Sequence, residues 1–302
     1  MKAYVNGEFV DLDKATLSIH DAGVQHAVGL FETMQAFNGR VFRLEAHVDR
    51  LIQSARELGM TRSLRHDPLC ECVEATLKEN DMTEARLRLT VTGGDLSLLG
   101  AARSGGRARP HTPTVLCVAG PPTEYPPGFF ADGVTVTIAD GRANPFDPGA
   151  GHKTLNYWPR LRALADAAAH GAGEALWLSV SNHLAGGSVS NALLVKDGVL
   201  LSPYARGEEA SGALPAPVLP GITRSCVLEL AESMDNPVHR RMITIEDVLG
   251  ADELMLTNSS WQILPVVAVE KSTIGDGKPG ELTAKLRHAL LKRIEAKTMA
   301  GD

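Results

Sequence analysis

The stretch NPFDPGAGHKTLNYWPRLRALADAAAHG, residues 144–171, holds the residue types best suited to chemistry. Lys153 stands ahead of an apolar, helix-like run and behind a loop of Gly and Pro, a composition that lets backbone approach a ligand closely. Tyr157 follows about one turn later, where it can share a pocket, and Pro159 suits a first helical turn, where a missing N–H costs nothing. Two readings fit such a lysine. One is a solvated surface charge. The other is a lysine buried in an apolar cleft, which gives up its proton more readily and attacks carbonyl carbons as the free amine, the chemistry of a Schiff base.

The elements that must position this lysine are legible in outline. KAYVNGEFVDL reads as a hairpin around Asn6-Gly7, and GLFETMQAFNGRVFRL as another around Asn38-Gly39. LEAHVDRLIQSARELGM places Leu44, Val48, Leu51, Ile52, Ala55 and Leu58 at helical spacing and stops at Gly59. A second helix near PLCECVEATLKEN and a strand ARLRLTVTGG complete a β-β-α-α-β unit. Beyond a basic loop at 100–113 come a strand TVLCVAG and the stiff segment PPTEYPPG, the best linker in the chain. A strand GVTVTIAD follows, then the lysine helix with Trp158, Leu161, Leu164, Ala165 and Ala168 on one face. The rest reads as a strand EALWLSV, a hairpin NALLVKDGVLLSP, a helix TRSCVLELAESM, a strand DELMLTN and a final helix GELTAKLRHALLKRIEAK. A cut near residue 122 gives two domains, a small α/β domain over 1–121 and a larger one over 122–302.

Composition bounds the function. The chain has 302 residues, 44% hydrophobic and 22% charged, the balance of a globular protein with a core. A formal charge of -6 gives no basic excess for nucleic acid or anionic lipid, and no apolar run approaches the ~20 residues of a membrane span. The N-terminal residues alternate like a strand and lack the apolar core of a leader peptide. Cys70, Cys72, Cys117 and Cys226 are scattered and fit reduced cytoplasmic thiols; no metal site is expected.

The order of blocks resembles the class IV aminotransferases, which include branched-chain and D-amino-acid aminotransferases and 4-amino-4-deoxychorismate lyase. DAGVQHAVGLFETMQAFNGRVFRLEAHVDRLIQSARELG is similar to the family's opening block, with its H-x-x-R pair at His47 and Arg50. HKTLNYWPRLRALADAAAHGAGEALWL resembles the lysine block, and GGSVSNALLVKDGVLLSP, LPGITRSCVLELA, ADELMLTNSSWQILPV and IGDGKPGELTAKL resemble the four that follow. The resemblance implies a two-domain α/β (α+β) fold, a homodimer, and pyridoxal 5'-phosphate held by Lys153, which also moves the proton during amino transfer.

The resemblance assigns the cofactor phosphate to Arg50, to Ile222 and Thr223 at a helix start, and to Ser259 where the family has a threonine. It places Tyr157 beside the ring. Simpler readings stand beside each: Arg50 on an amphipathic surface, Thr223 as a helix cap, Tyr157 as core. Arg88 matches an arginine on the strand lining the substrate site, although alternation puts Arg86, Arg88 and Thr90 on what could be a solvated sheet face. His26 replaces a family tyrosine near the site, and a packed, satisfied histidine is its simpler reading. Arg103, Arg107 and Arg109 in the 100–113 loop would favour an acidic substrate if that loop overhangs the cleft.

One position departs from the pattern. Where the family has a glutamate that pairs with the pyridine nitrogen, this chain has Gly186, and no carboxylate lies between Ser179 and Lys196. An unprotonated ring is a poorer electron sink. Cofactor binding is therefore expected to survive better than fast amino transfer, unless another group or a water replaces the carboxylate; restoring it with Gly186→Glu is expected to raise the rate. The expected activity is amino transfer to a 2-oxo acid of the branched-chain type. The rivals are a lyase releasing pyruvate and a cofactor-binding paralogue with weak catalysis.

Overall fold

A computed structural model describes residues 1–95 and 112–299. The 100–113 loop expectation, with Arg103, Arg107 and Arg109, falls almost wholly outside the described residues. The chain divides into two compact units. The first takes Met1–Thr123, Lys153–Asn156 and the chain from Lys297 on; the second takes Glu124–His152 and Tyr157–Ala296. The grouping is discontinuous, so no single cut in the chain describes it.

The first unit is built on β1 (Lys2–Val5), β2 (Glu8–Asp11), β3 (Gly29–Phe37), β4 (Arg40–Val41), β5 (Ala85–Thr92) and β6 (Val115–Gly120), in the sheet order β2-β1-β6-β5-β3-β4. Every pairing in it is antiparallel. The hairpin turns use Asn6-Gly7 and Asn38-Gly39, all four residues at positive φ, which Asn and Gly tolerate. Short α1 (Ala22–His26) precedes β3, and α2 (Leu44–Glu57) and α3 (His66–Glu79) follow β4. Alternation in β3 sends Leu30, Met34 and Ala36 into a core shared with Val48, Leu51 and Ile52 of α2, Val73 and Leu77 of α3, and Leu87 and Leu89 of β5. Cys72 and Cys117 are buried there as free thiols.

The second unit carries β7 (Val134–Ala143), β8 (Glu174–Ser179), β9 (Leu184–Gly187), β10 (Asn191–Lys196), β11 (Val199–Ser202), β12 (Val238–Arg240), β13 (Glu253–Asn258), β14 (Gln262–Val269) and β15 (Ser272–Thr273). Their order is β12-β11-β10-β13-β14-β7-β8-β9, with β15 on β14, and the sheet is mixed. Helices α4 (Gly128–Ala131), α5 (Trp158–Ala169), α6 (Ile222–Ser233), α7 (Ile245–Leu249) and α8 (Glu281–Met299) complete the order; α8 runs into the first unit at Lys297. Strand β14 is absent from the sequence reading because Pro265 interrupts it. Pairing with β7 begins only at Val266, so the proline removes no ladder donor on that side. Among the described residues no helix is long and apolar enough to cross a membrane.

The lysine-proximal helix α5 corrects one expectation. Its large apolar residues do not face the core of their unit: Trp158 is 72% and Leu161 48% exposed. The packing face is made of alanines instead. Ala167 is buried and Ala163 packs with it against Ala139, Ala143, Ala175 and Trp177, because small residues at i and i+4 let a helix lie close on a sheet. Enlarging this contact with Ala167→Leu is expected to destabilise the protein by about 1–3 kcal/mol in chemical denaturation, with no compensating change in secondary structure.

Candidate active site

Lys153 is fixed by backbone pairing. The Phe31 amide donates to the Lys153 carbonyl at 3.0 Å and the Leu155 amide to the Gly29 carbonyl at 2.9 Å, with an antiparallel bridge between Leu30 and Thr154. Residues 153–155 thus lie along β3, joined to it by an isolated bridge. Gly29 has to be small, since a Cβ there would come within 2.5 Å of Leu155 Cδ1 and 2.8 Å of the Val91 carbonyl oxygen. The Lys153 amine sits 4.5 Å from the centre of the Phe31 ring, and the Arg88 guanidinium 3.7 Å from the same ring. Phe31 faces Thr90 across the ladder, and Arg88 is the diagonal neighbour opposite Thr33. The structure therefore gathers Lys153, Phe31 and Arg88.

Beside them, Glu32 organises a buried charge cluster. Its Oε1 accepts from Arg50 Nε at 2.8 Å and its Oε2 from Arg50 Nη2 at 2.6 Å, while His47 Nδ1 lies 2.8 Å from Oε2. Glu32 is 1% exposed. Burial pushes its pKa up, but the Arg50 charge and the His47 contact outweigh burial and hold it at about 2. Burial shifts His47 the other way, downward, against the pull of Glu32, so the ring is neutral and donates Nδ1–H to the carboxylate. The Lys153 charge adds to that downward shift, which places it near the cluster. Arg50 is thus held by a rigid fork, and the surface reading of this residue is corrected. Sequence reasoning missed Glu32 and Phe31; the signal was an acidic residue inside the otherwise apolar strand GLFETM, in a chain that also carries an H-x-x-R pair. His26 ends α1, exposed, so the packed reading of that residue is wrong.

The second unit gathers a separate set around the turn 186–190. Tyr157 donates its hydroxyl to the Ser188 carbonyl at 3.1 Å, and Arg160 Nη1 donates to the Gly187 carbonyl at 2.8 Å. Glu174 is buried beneath the turn, accepting from the amides of Ala175, Ser188 and Val189 and from Ser190 Oγ. Burial raises its pKa against those four hydrogen bonds. Asn191 donates to the Leu219 carbonyl at 2.8 Å and Asn258 to the Val189 carbonyl at 3.3 Å, so the turn is tied to the start of α6 and to the 257–262 corner.

Gly221 is the N-cap of α6 and gives it no side-chain cap, and a Cβ on Gly221 would overlap Asn191 Oδ1. Ile222 and Thr223 open the helix, and Thr223 is buried at 7% exposure without capping it, contrary to the simpler reading. First-turn amides without a cap, and the Thr223 hydroxyl among them, suit an anion. Arg224 is no part of this: it is spent on Ser202, Pro203 and Glu208. Beside Ser259, Thr257 Oγ1 and Trp261 Nε1 are buried with no hydrogen-bond partner among the described residues.

Gly186 carries a second correction. It sits at φ +99°, and an added Cβ would meet the Ser190 carbonyl oxygen at 2.9 Å. A glutamate there is strained whatever its charge offers, so Gly186→Glu does not simply restore a missing carboxylate.

A family model described as amino-transferase class IV matches residues 29–269. The chain is 34% identical over 290 residues to a "Putative branched-chain-amino-acid aminotransferase" of Methanocaldococcus jannaschii, covering 95% of this chain and 94% of that protein. A branched-chain amino acid aminotransferase of Escherichia coli superposes with a TM-score of 0.85 at 25% identity, covering 96% of this chain and 93% of the other. A 4-amino-4-deoxychorismate lyase from Pseudomonas aeruginosa superposes with a TM-score of 0.81 at 29% identity, covering 96% and 98%.

Two outcomes follow from the first cluster. Glu32→Gln leaves the part-buried Arg50 without the Glu32 counter-charge and is expected to cost about 3–5 kcal/mol in denaturant unfolding. Because the folded pKa of Glu32 lies below its ordinary 4.5, the stability it contributes is complete above pH 4.5 and is lost as pH falls toward 2; the variant should lack that acid-dependent slope. Gly29→Ala is expected to push residues 153–155 off β3, read as at least about tenfold faster hydrogen exchange at the Leu155 and Phe31 amides, with exchange at β6 unchanged.

Proposed function

We propose, for a chain that belongs to the class IV aminotransferase family, that it binds pyridoxal 5'-phosphate at Lys153 and transfers amino groups from branched-chain amino acids to 2-oxo acids. The observation that carries this reading is the backbone clamp on Lys153, which fixes one amine over the Phe31 ring instead of leaving it on a mobile surface chain. The donor set of the second unit fits the group. It offers uncapped helix amides at Ile222 and Thr223 and two buried polar atoms, Thr257 Oγ1 and Trp261 Nε1, with no hydrogen-bond partner among the described residues.

When bound, pyridoxal 5'-phosphate supplies an aldehyde that condenses with amines and a ring that draws electrons from the donor's Cα. Lys153 Nζ would hold it and would act as the base for the donor's Cα proton. Arg50, Ile222, Thr223 and Ser259 bind its phosphate. Glu32, by taking Arg50 Nε and Nη2, fixes the orientation of the guanidinium. Tyr157, held by its bond to the Ser188 carbonyl, would flank the ring, and Gly186 would supply backbone only. Arg88, stacked on Phe31 near Lys153, takes the donor carboxylate, and His26 at the end of α1 is assigned a lesser part in substrate binding. The same reading makes the protein a cytoplasmic homodimer, for which the free thiols are the supporting observation as to compartment.

A second reading, pyruvate-releasing lyase activity, is favoured by the likeness to the Pseudomonas enzyme. Both are tested by one set of assays. The purified protein should show an absorbance band from the lysine-linked cofactor that shifts with leucine, isoleucine or valine, and should form glutamate from 2-oxoglutarate. Pyruvate release from aminodeoxychorismate without any oxo acid would establish the lyase instead. Lys153→Ala is expected to lose the band and at least about a thousandfold in rate, as removal of a covalent catalyst does.

A further inference from the structure

The turn 186–190 presents a cation where the sequence resemblance asks for a carboxylate. We propose that Arg160 donates a hydrogen bond to the ring nitrogen of pyridoxal 5'-phosphate and keeps that nitrogen unprotonated. The proposal rests on the functional reading above.

A pyridine nitrogen has one lone pair. Facing a carboxylate it holds a proton, whereas facing an N–H donor it accepts a hydrogen bond and stays neutral. The charged side chains bonded to this turn are Glu174 and Arg160. Glu174 is fully buried, and both of its oxygens are engaged: Oε1 by the amides of Ala175 and Ser188 at 2.9 and 3.2 Å, Oε2 by the Val189 amide and Ser190 Oγ, each at 3.1 Å. Turning it toward a ligand would leave buried amides without an acceptor, which the fold disfavours. A carboxylate cannot enter from residue 186 either, given the φ of +99° and the 2.9 Å approach of Ser190.

Arg160 has the opposite standing. One N–H goes to the Gly187 carbonyl, and its other donors have no partner among the described residues. The guanidinium is half-buried and stacked 5.0 Å from the Trp177 ring. Trp177 in turn is fixed, donating Nε1–H to Ser188 Oγ at 3.0 Å and pressing on Gly141, where a Cβ would come within 2.7 Å of the ring. A guanidinium so held, with spare donors, is built to meet an acceptor and repels a proton on it. The chemical consequence is a ring that takes up less electron density, so cofactor retention is preserved while amino transfer is slowed.

The test is ¹⁵N NMR of the protein loaded with pyridoxal 5'-phosphate labelled at the ring nitrogen, followed from neutral pH down to the limit of folding. In the unaltered protein the bound nitrogen should give the resonance of an unprotonated pyridine throughout. In Arg160→Leu, and in Arg160→Gln, which can still bond the Gly187 carbonyl, it should become titratable and move to the protonated position as pH falls. A bound nitrogen already protonated in the unaltered protein overturns the proposal, as does one that stays unprotonated in both variants. Should one variant fail to fold, the unaltered protein and the other variant carry the decision. Free cofactor only, with no adduct trapped by borohydride, overturns the functional reading and this proposal together.

Discussion

Two backbone hydrogen bonds, from the Phe31 amide to Lys153 and from the Leu155 amide to Gly29, decide where the reactive amine can be. A lysine side chain carries about 2 kcal/mol of rotamer entropy, so a chemical role needs its root fixed before its tip can be aimed. Here the root is fixed by bridging residues 153–155 to the edge of β3. The aim is then set by Phe31, which alternation places opposite to Glu32 along the same strand. One strand thus carries the aromatic platform under the amine on one face and, on the other, the carboxylate that orients Arg50. That economy is why a glycine is required at position 29: any side chain would separate the lysine from the strand that serves it.

Much of this was legible from residue patterns, and the failures have physical causes. Hairpins at Asn6-Gly7 and Asn38-Gly39 followed from turn chemistry that few other residues satisfy. Lys153 could be singled out by its neighbours, Gly, Pro and Tyr157, yet its pairing to β3 could not, because KTL has no strand signature and the contact joins residues more than a hundred positions apart. The apolar face of α5 misled because helical periodicity reports where large residues lie, while the packing here is by Ala163 and Ala167. Strand β14 was hidden by Pro265, whose missing donor does no harm at that point of the ladder. Thr223 read as a cap because hydroxyls favour that position; the N-cap is Gly221, two residues earlier.

Gly186 shows the limit of reading a motif by its missing member. Sequence alone frames it as a deletion, a carboxylate lost and open to restoration. The backbone conformation and the Ser190 carbonyl make it a different solution, with Arg160 and Trp177 building the neighbouring surface and Glu174 committed to holding the turn. The electrostatics of a site depend on which groups retain free hydrogen-bonding capacity after the fold has used the rest. By that criterion the turn offers a donor.

The central claim is the covalent use of residue 153. Reducing the cofactor-loaded protein with borohydride and mapping the modified peptide by mass spectrometry tests it most directly. The account requires a single pyridoxyl adduct on the peptide containing HKTLNY, at Lys153. An adduct on another lysine, or none on a protein that retains the cofactor, would contradict it.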